Sequence, residues 1–192
     1  MAVRVVIAED EAIIRLDLKE TLEEEGYEVV GETGRGDEAV QIVRDTKPDI
    51  AILDIKMPGL DGLSAAREIT TERGAAVLIL TAFSQRDLIE QARDAGALAY
   101  LVKPFQRSEL IPAVEVAIGR FRELKSYADQ ARTAQEQLET RKVLDRAKGL
   151  LMDNHHLSEQ DAFSFIQKTA MRERLTMRAV AEAVLAGETV PG

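Results

Sequence analysis

The chain contains no cysteine among its 192 residues. This absence excludes disulfide bonds, thiolate nucleophiles and thiolate metal sites, and it is typical of proteins in a reducing interior. No apolar run approaches the roughly 18 residues that a membrane span needs. The amino terminus also lacks the basic segment and apolar core of a secretory signal. From these absences we expect a cytoplasmic protein without a membrane partner.

Basic charge is scarce in the first two thirds of the chain. The formal net charge is −9. Residues 1–126 hold 16 lysines and arginines against 24 aspartates and glutamates, whereas residues 127–192 hold 9 against 10. An acidic whole disfavours nonspecific binding of nucleic acid, but a nearly neutral tail can still present a basic face if its charges segregate.

The first part of the chain alternates short apolar runs with amphipathic stretches, five times over. The runs are VRVVIA, YEVVGE, IAIL, AAVLIL and AYLV. This alternation is typical of an α/β fold, so we predict a doubly wound, five-stranded parallel sheet. The apolar spacing also predicts three buried helix faces. These faces hold Ile13, Leu16 and Leu22; Ala39, Ile42 and Val43; and Leu63, Ala66 and Ile69.

The pattern after Ser108 is purely helical. Apolar residues recur at spacings of three and four from Ile111 to Phe121, and no proline or glycine falls between Arg120 and Lys148. A long fifth helix is therefore expected, whose middle is either a solvated linker or a dimeric coiled coil. Three short helices, near 141–152, from Ser158 and from Thr176, follow as a small all-α domain. We predict a first domain at 1–124, a helical linker at 125–140 and the tail domain at 141–192.

Polar residues follow four of the apolar runs directly. Glu9 and Asp10, Asp54, Thr81 and Lys103 occupy these positions. The carboxyl ends of parallel strands share one crevice, so these side chains should converge. Carboxylates suit Mg²⁺, which is commonly held by one or two of them together with a phosphate oxygen. A carboxylate can also attack phosphorus, while a lysine and a hydroxyl stabilise the phosphoryl oxygens.

Residues 1 to about 124 resemble the receiver domain of two-component systems. The resemblance rests on AED, on LDIKMPGLDG around Asp54, on LTA ending at Ala82 and on KPF beginning at Lys103. It implies that Asp54 accepts a phosphoryl group from a sensor histidine kinase, and that the Lys103–Pro104 peptide bond is cis. It also implies roles at the remaining positions. Asp10 and Asp54 would bind Mg²⁺ directly, Glu9 would act as the outer ligand, the carbonyl of Lys56 would be a further ligand, and Thr81, Tyr100 and Lys103 would form the switch and phosphoryl-binding set.

A phosphatase of the haloacid-dehalogenase type is the main enzymatic rival. That family also forms an aspartyl phosphate after a strand, but it needs a second aspartate two residues beyond the nucleophile. Lys56 stands there instead. We therefore expect a phosphoacceptor switch, which catalyses only its own phosphorylation and slow dephosphorylation, rather than a turnover enzyme.

The tail resembles an ANTAR domain, a small helical module of antitermination regulators. The resemblance rests on RAKGLLM, SEQDAF and TAMRERLTMRAVAEAVL, in this order. It implies binding of hairpin RNA in nascent transcripts, and a phosphorylation-dependent homodimer would match paired hairpins. A DNA-binding factor and a protein-interaction module are the alternative outputs. The candidate RNA-binding residues are Arg141, Lys142, Arg146, Lys148, Arg172, Arg174 and Arg178.

Overall fold

A computed structural model describes residues 2–72, 74–82 and 86–190 of the chain. It divides into two compact units, residues 1–125 and 126–192. The first unit holds five strands and the helices between them. In chain order these elements are β1 (Arg4–Ala8), α1 (Ala12–Glu24), β2 (Glu28–Thr33), α2 (Gly36–Thr46), β3 (Ile50–Asp54), α3 (Gly62–Thr71), β4 (Ala76–Thr81), α4 (Arg86–Asp94) and β5 (Ala99–Val102). Helix α5 (Arg107–His155) begins in this unit and ends in the second.

The five strands form one parallel sheet in the order β2-β1-β3-β4-β5, which confirms the predicted fold class. Both faces of the sheet are covered. Along β1, Val6 and Ala8 belong to the core under α2, α3 and α4, while Val5 and Ile7 belong to the core under α1 and α5. Burial on both faces explains why the strands are continuous apolar runs rather than alternating ones.

The predicted inner faces of α2 and α3 are confirmed, but that of α1 is wrong at two of three positions. Ile13 and Leu16 are 85% and 56% exposed, and Leu18 and Leu22 are the buried residues of α1. Apolar residues occur around most of this helix, so their spacing does not single out the face that meets the sheet. As a result, an apolar strip of α1 is left on the surface.

The second unit contains the end of α5 together with α6 (Glu159–Glu173) and α7 (Met177–Leu185). The expected long fifth helix is confirmed, and the segment predicted as a separate helix at 141–152 is the last part of it. Ser158 and Thr176 cap α6 and α7 by accepting backbone N–H groups, at the positions where the sequence predicted that these helices begin. The three helices share a small core. Its fully enclosed members include Ala147, Leu151, Ala162, Ile166, Val180 and Val184.

Gly62 allows α3 to pack directly against the end of β3. A Cβ at this position would overlap the main-chain carbonyl oxygen of Asp54, and the Gly62 N–H donates to the carbonyl of Ile55 at 2.9 Å. We expect Gly62→Ala to lower the free energy of unfolding by about 2 kcal/mol, because the backbone must shift to admit the methyl group. Urea unfolding followed by hydrogen exchange of receiver peptides measures this loss.

Gly119→Ala is the matched control for this prediction. Gly119 lies within α5, and a Cβ there would meet nothing within 4 Å. Alanine is the better helix former, so this variant should gain about 0.5–1 kcal/mol. Equal stability changes in the two variants would contradict the packing argument at Gly62.

Candidate functional site

The carboxyl edge of the sheet brings the predicted acids together. Glu9 and Asp10 follow β1, and Asp54 is the last residue of β3. One carboxylate oxygen from each lies within 4.8 Å of the others, so they form one cluster. We call these three residues the acidic cluster. Glu9 and Asp54 are buried, whereas Asp10 is exposed.

Lys103, just after β5, reaches into the acidic cluster. Its Nζ lies 2.5 Å from Oε2 of Glu9 and 3.0 Å from Oδ1 of Asp54. The lysine side chain is only 11% exposed and that of Glu9 is fully buried. Two carboxylates in a poorly solvated place repel each other strongly, so the ammonium between them stabilises the ionised state of both.

Burial and neighbouring charges shift the pKa values of Glu9 and Lys103. Burial raises the pKa of Glu9, the ion pair with Lys103 opposes the rise, and the charge of Asp54 adds to it. Burial by itself would lower the pKa of Lys103, but its hydrogen bonds and attraction to Glu9 and Asp54 exceed that effect and raise it. Lys103 is therefore held as a cation in a place that disfavours a lone charge.

Backbone groups hold the two buried carboxylates in place. The N–H of Lys56 donates to Oδ2 of Asp54 at 3.1 Å, and the N–H of Glu11 donates to Oε1 of Glu9 at 3.2 Å. The Asp54 carboxylate thus has one oxygen toward the loop after β3 and the other toward Lys103. Its orientation is set before any ligand arrives.

The donor set suits a hard divalent cation. All three ligand candidates in the acidic cluster are carboxylates, which Mg²⁺ prefers to nitrogen and sulfur donors. Asp10 makes no hydrogen bond or ion pair with any residue that the structure describes, so both of its oxygens are available. Oε2 of Glu9 is buried and receives no hydrogen bond of normal geometry there, although it touches the Lys103 ammonium. The residues present therefore fit the predicted metal.

Thr81 and Tyr100 are also brought together. Thr81 ends β4 and is 1% exposed, whereas Tyr100 lies on the neighbouring strand β5 and is partly buried. Burial raises the pKa of Tyr100, and its hydrogen bond with Thr81 opposes the rise. The Lys103–Pro104 peptide bond is cis, as the resemblance implied.

A groove lies beside the acidic cluster on the α1 side. It has a volume of about 420 Å³. Its lining includes the exposed Ile13 of α1 together with Lys103, Pro104 and Phe105 of the segment after β5. The sequence did not predict this surface, because Ile13 was assigned to the core.

Sequence reasoning also missed Arg15. This partly buried residue of α1 donates from Nη1 to the carbonyl oxygen of Glu9 at 2.6 Å. No sequence pattern predicts such a contact between a side chain and the main chain. Only the packed turn between β1 and α1 brings the two groups together.

Four of the candidate RNA-binding residues are exposed, and each forms an ion pair with an acidic neighbour. These pairs are Arg141–Asp145, Lys142–Glu139, Arg172–Glu173 and Arg178–Glu182. Exposed pairs contribute roughly 0–1 kcal/mol each. Such cations can therefore exchange their partner for a phosphate at little cost.

The other three candidates differ from one another. Lys148 is only 17% exposed, and its Nζ lies 2.9 Å from Asp145 and 2.8 Å from Glu159, so it joins α5 to α6. Arg146 and Arg174 are exposed, and neither forms an ion pair with any residue in the described part of the tail. Arg174 also ends α6 in the left-handed region, at φ 56°.

Receiver domains of two-component systems combine this strand order with such an acidic pocket, and sequence comparison identifies one here. Residues 5–115 match the response regulator receiver domain family. Residues 132–185 match the ANTAR domain. The chain therefore belongs to the response regulators and carries an ANTAR domain after its receiver domain. No helix in the described ranges is long and apolar enough to cross a membrane.

The chain is similar to several other proteins. Transcriptional regulatory protein PdtaR of Mycobacterium tuberculosis is 59% identical over 182 residues, which cover 95% of this chain and 89% of that protein. Chemotaxis protein CheY of Thermotoga maritima is 39% identical over 115 residues, 59% of this chain and 96% of that one. The response regulator domain of Thermotoga maritima CheB superposes with a TM-score of 0.58 at 26% identity, covering 62% of this chain and 98% of that structure.

Proposed function

We propose that this response regulator accepts a phosphoryl group on Asp54 from a sensor histidine kinase, with Mg²⁺ bound at the acidic cluster, and thereby controls RNA binding by its tail. The observation that carries the first half is the convergence of Glu9, Asp10, Asp54 and Lys103 at one edge of the sheet. The second half rests on the ANTAR match at 132–185. A relative named as a transcriptional regulatory protein supports a role in gene expression.

The chemistry follows from the positions of the side chains. An Asp54 carboxylate oxygen attacks phosphorus, the phosphorus–nitrogen bond of the kinase phosphohistidine breaks, and its electron pair returns to the imidazole. Lys103, 3.0 Å from Asp54, neutralises charge on the transferred oxygens, and the Thr81 hydroxyl donates to one of them. Asp10, Asp54 and the Lys56 carbonyl would hold Mg²⁺, with Glu9 acting through water, and the bound cation would offset the repulsion between the carboxylate and the phosphoryl group.

The phosphorylated form acts as a signal. The phosphoryl group carries roughly −1.5 to −2 charge in place of the single negative charge of the Asp54 carboxylate, so Thr81 and Lys103 are drawn toward the new oxygens. Tyr100 shares a hydrogen bond with Thr81 and responds to that movement. We propose that this rearrangement changes the association of two copies through α5, so that paired tails bind paired RNA hairpins.

In the tail, Arg146 and Arg174 are the first choice for phosphate contacts, because neither is neutralised by a described neighbour. Arg141, Lys142, Arg172 and Arg178 extend this surface with exposed, weakly paired cations. Lys148 holds α5 against α6 through two ion pairs, so its loss should act through the fold of the tail as well as through RNA.

The experiment that tests the proposal compares the protein with and without the phosphoryl mimic beryllofluoride and Mg²⁺. We expect the mimic to increase the mass of the particle in solution and to tighten binding of a two-hairpin RNA. A salt-dependent shift with duplex DNA and none with RNA would favour a DNA-binding output instead. Absence of all nucleic-acid binding would favour a protein-interaction module.

The exposed strip of α1 suits the kinase, because the donor histidine must come close to Asp54. Ile13 is 85% exposed and lines the groove next to Lys103 and Pro104. We expect Ile13→Asp to slow phosphotransfer from the cognate kinase about tenfold or more, since a buried apolar contact of this size is worth roughly 1.5–3 kcal/mol. Phosphorylation by acetyl phosphate, which needs no docked protein, should keep its rate.

The matched control is Val116→Asp, which places the same charge on an exposed apolar residue of α5. This variant should accept phosphoryl groups normally from both donors. If Ile13→Asp slowed both donors equally, the residue would act on the acidic cluster rather than on docking.

A further inference from the structure

Arg15 ties the first turn of α1 to the end of β1. Its Nη1 donates to the Glu9 carbonyl at 2.6 Å, while the Glu9 N–H donates to the carbonyl of Thr33 at 3.0 Å. Helix α1 has no side-chain cap from its N-cap residue, Glu11. The arginine side chain is therefore a main connection between the helix and the strand end that carries the acidic cluster.

Asp10 is joined to Glu9 by the peptide group whose carbonyl accepts the Arg15 hydrogen bond. Its carboxylate makes no hydrogen bond or ion pair with the described residues, so the backbone of the turn alone sets its direction. The Arg15 guanidinium and the Asp10 backbone both lie beside Gly34. A Cβ on Gly34 would be in ordinary van der Waals contact with the Arg15 Nη1 and the Asp10 Cα, at 3.5 Å from each.

We propose that Arg15 is a positioning residue for the metal site: by holding the peptide between Glu9 and Asp10, it keeps the Asp10 carboxylate beside those of Glu9 and Asp54. The inference rests on the proposed function, since it concerns Mg²⁺ at the acidic cluster. Outer partners that orient metal ligands typically change metal affinity by about 10- to 100-fold when they are removed.

Positioning and charge predict opposite results for a neutral substitution. Arg15 forms no ion pair with a described residue, yet its hydrogen bond to the Glu9 carbonyl brings a positive charge to the turn that carries the acidic cluster. If charge alone mattered, its removal would strengthen the attraction of a dication. If positioning dominates, removal lets the turn relax and weakens Mg²⁺ binding. The sign of the change therefore distinguishes the two effects.

The experiment titrates the full-length protein with Mg²⁺ alone by isothermal calorimetry, comparing wild type with Arg15→Met, Arg15→Lys and Lys19→Met. We expect about tenfold weaker Mg²⁺ binding for Arg15→Met. Arg15→Lys should restore most of the affinity, because an ammonium also donates to a carbonyl. Lys19→Met removes a cation one turn further along α1, where it pairs with Glu32 at 3.3 Å, and should leave the affinity unchanged or slightly higher.

A second readout separates positioning from a general loss of structure. In Arg15→Met, the Mg²⁺ concentration for half-maximal phosphorylation by acetyl phosphate should rise, while the rate at saturating Mg²⁺ stays close to that of wild type. Unchanged or tighter Mg²⁺ binding by a folded Arg15→Met protein would overturn the inference, as would failure of Arg15→Lys to recover affinity. If wild type itself bound no Mg²⁺, the proposed function would fail instead.

Discussion

Asp54→Asn protein should gain no mass from acetyl phosphate and Mg²⁺ under conditions in which wild type gains one phosphoryl group. The amide keeps the shape of the side chain and can still accept the N–H of Lys56. It lacks the anionic oxygen that attacks phosphorus, so the acceptor reaction stops completely. Intact-protein mass spectrometry, with peptide mapping of the modified residue, measures the outcome.

Asp61→Asn is the control for this experiment. Asp61 lies in the same loop and caps α3, its Oδ1 accepting the N–H of Ser64 at 2.9 Å. Asparagine caps a helix about as well as aspartate, so this variant should fold and be phosphorylated normally. A phosphoryl group found on Asp54→Asn protein would show that the acceptor lies elsewhere.

Lys103→Met protein should lose about 3 kcal/mol of stability at neutral pH, the low end of the cost of breaking a buried ion pair. The substitution leaves the fully buried Glu9 and the nearly buried Asp54 without the ammonium that lies 2.5 and 3.0 Å from them. It should also slow phosphorylation of Asp54 strongly, because charge on the transferred oxygens is no longer neutralised. Urea unfolding monitored by hydrogen exchange of β1 and β3 peptides measures the stability.

The stability lost in the Lys103→Met protein should depend on pH in a defined direction. The pKa of Glu9 is already raised from its ordinary 4.5, first by burial, and Lys103 opposes that rise. Between the unfolded and folded pKa values the native protein binds more protons than the unfolded chain, so stability falls as pH increases through this interval. Without Lys103 the pKa of Glu9 in the folded protein rises further. The pH interval over which stability falls therefore extends to higher pH. The destabilisation should therefore be largest near neutral pH and shrink on acidification.

Adding Glu9→Gln to Lys103→Met tests this explanation directly. The amide removes the buried charge that the lysine had balanced, so the double variant should recover most of the lost stability at neutral pH and lose the pH dependence. A single Lys103→Met variant as stable as wild type at neutral pH would contradict the argument. So would a double variant no more stable than the single one.

The sequence predicted the sheet and most of the candidate site for one physical reason. Strands buried on both faces are plain apolar runs, so the polar residues that close them, such as Asp54 and Thr81, mark the carboxyl edge where they must converge. No comparable rule predicts from the sequence which distant groups a long side chain contacts. Arg15 binds a main-chain carbonyl, and Lys148 joins two helices through acids in different elements. Neither contact produces a periodic pattern in the sequence.

The error at α1 has a different physical origin. Ile13 and Leu16 look like core residues because apolar side chains are usually buried. Both are exposed here, and Ile13 lines the groove beside Lys103. An exposed apolar surface can have the same spacing of apolar residues as a surface that packs against the sheet, so periodicity alone does not separate the two.

At the end of α6, conformational stability is reduced in favour of a positive charge on the surface. Arg174 adopts φ 56°, a conformation in which a residue with a Cβ costs roughly 1–2 kcal/mol more than glycine. The interaction of a cation with the helix dipole at the carboxyl terminus offsets about 0.3–1 kcal/mol of this cost. The domain would be more stable with glycine, yet it would then lose one of the two guanidinium groups that have no ion-pair partner among residues 126–190. Replacing Arg174 with glycine would therefore raise the stability of the tail but weaken the attraction to RNA that we propose for it.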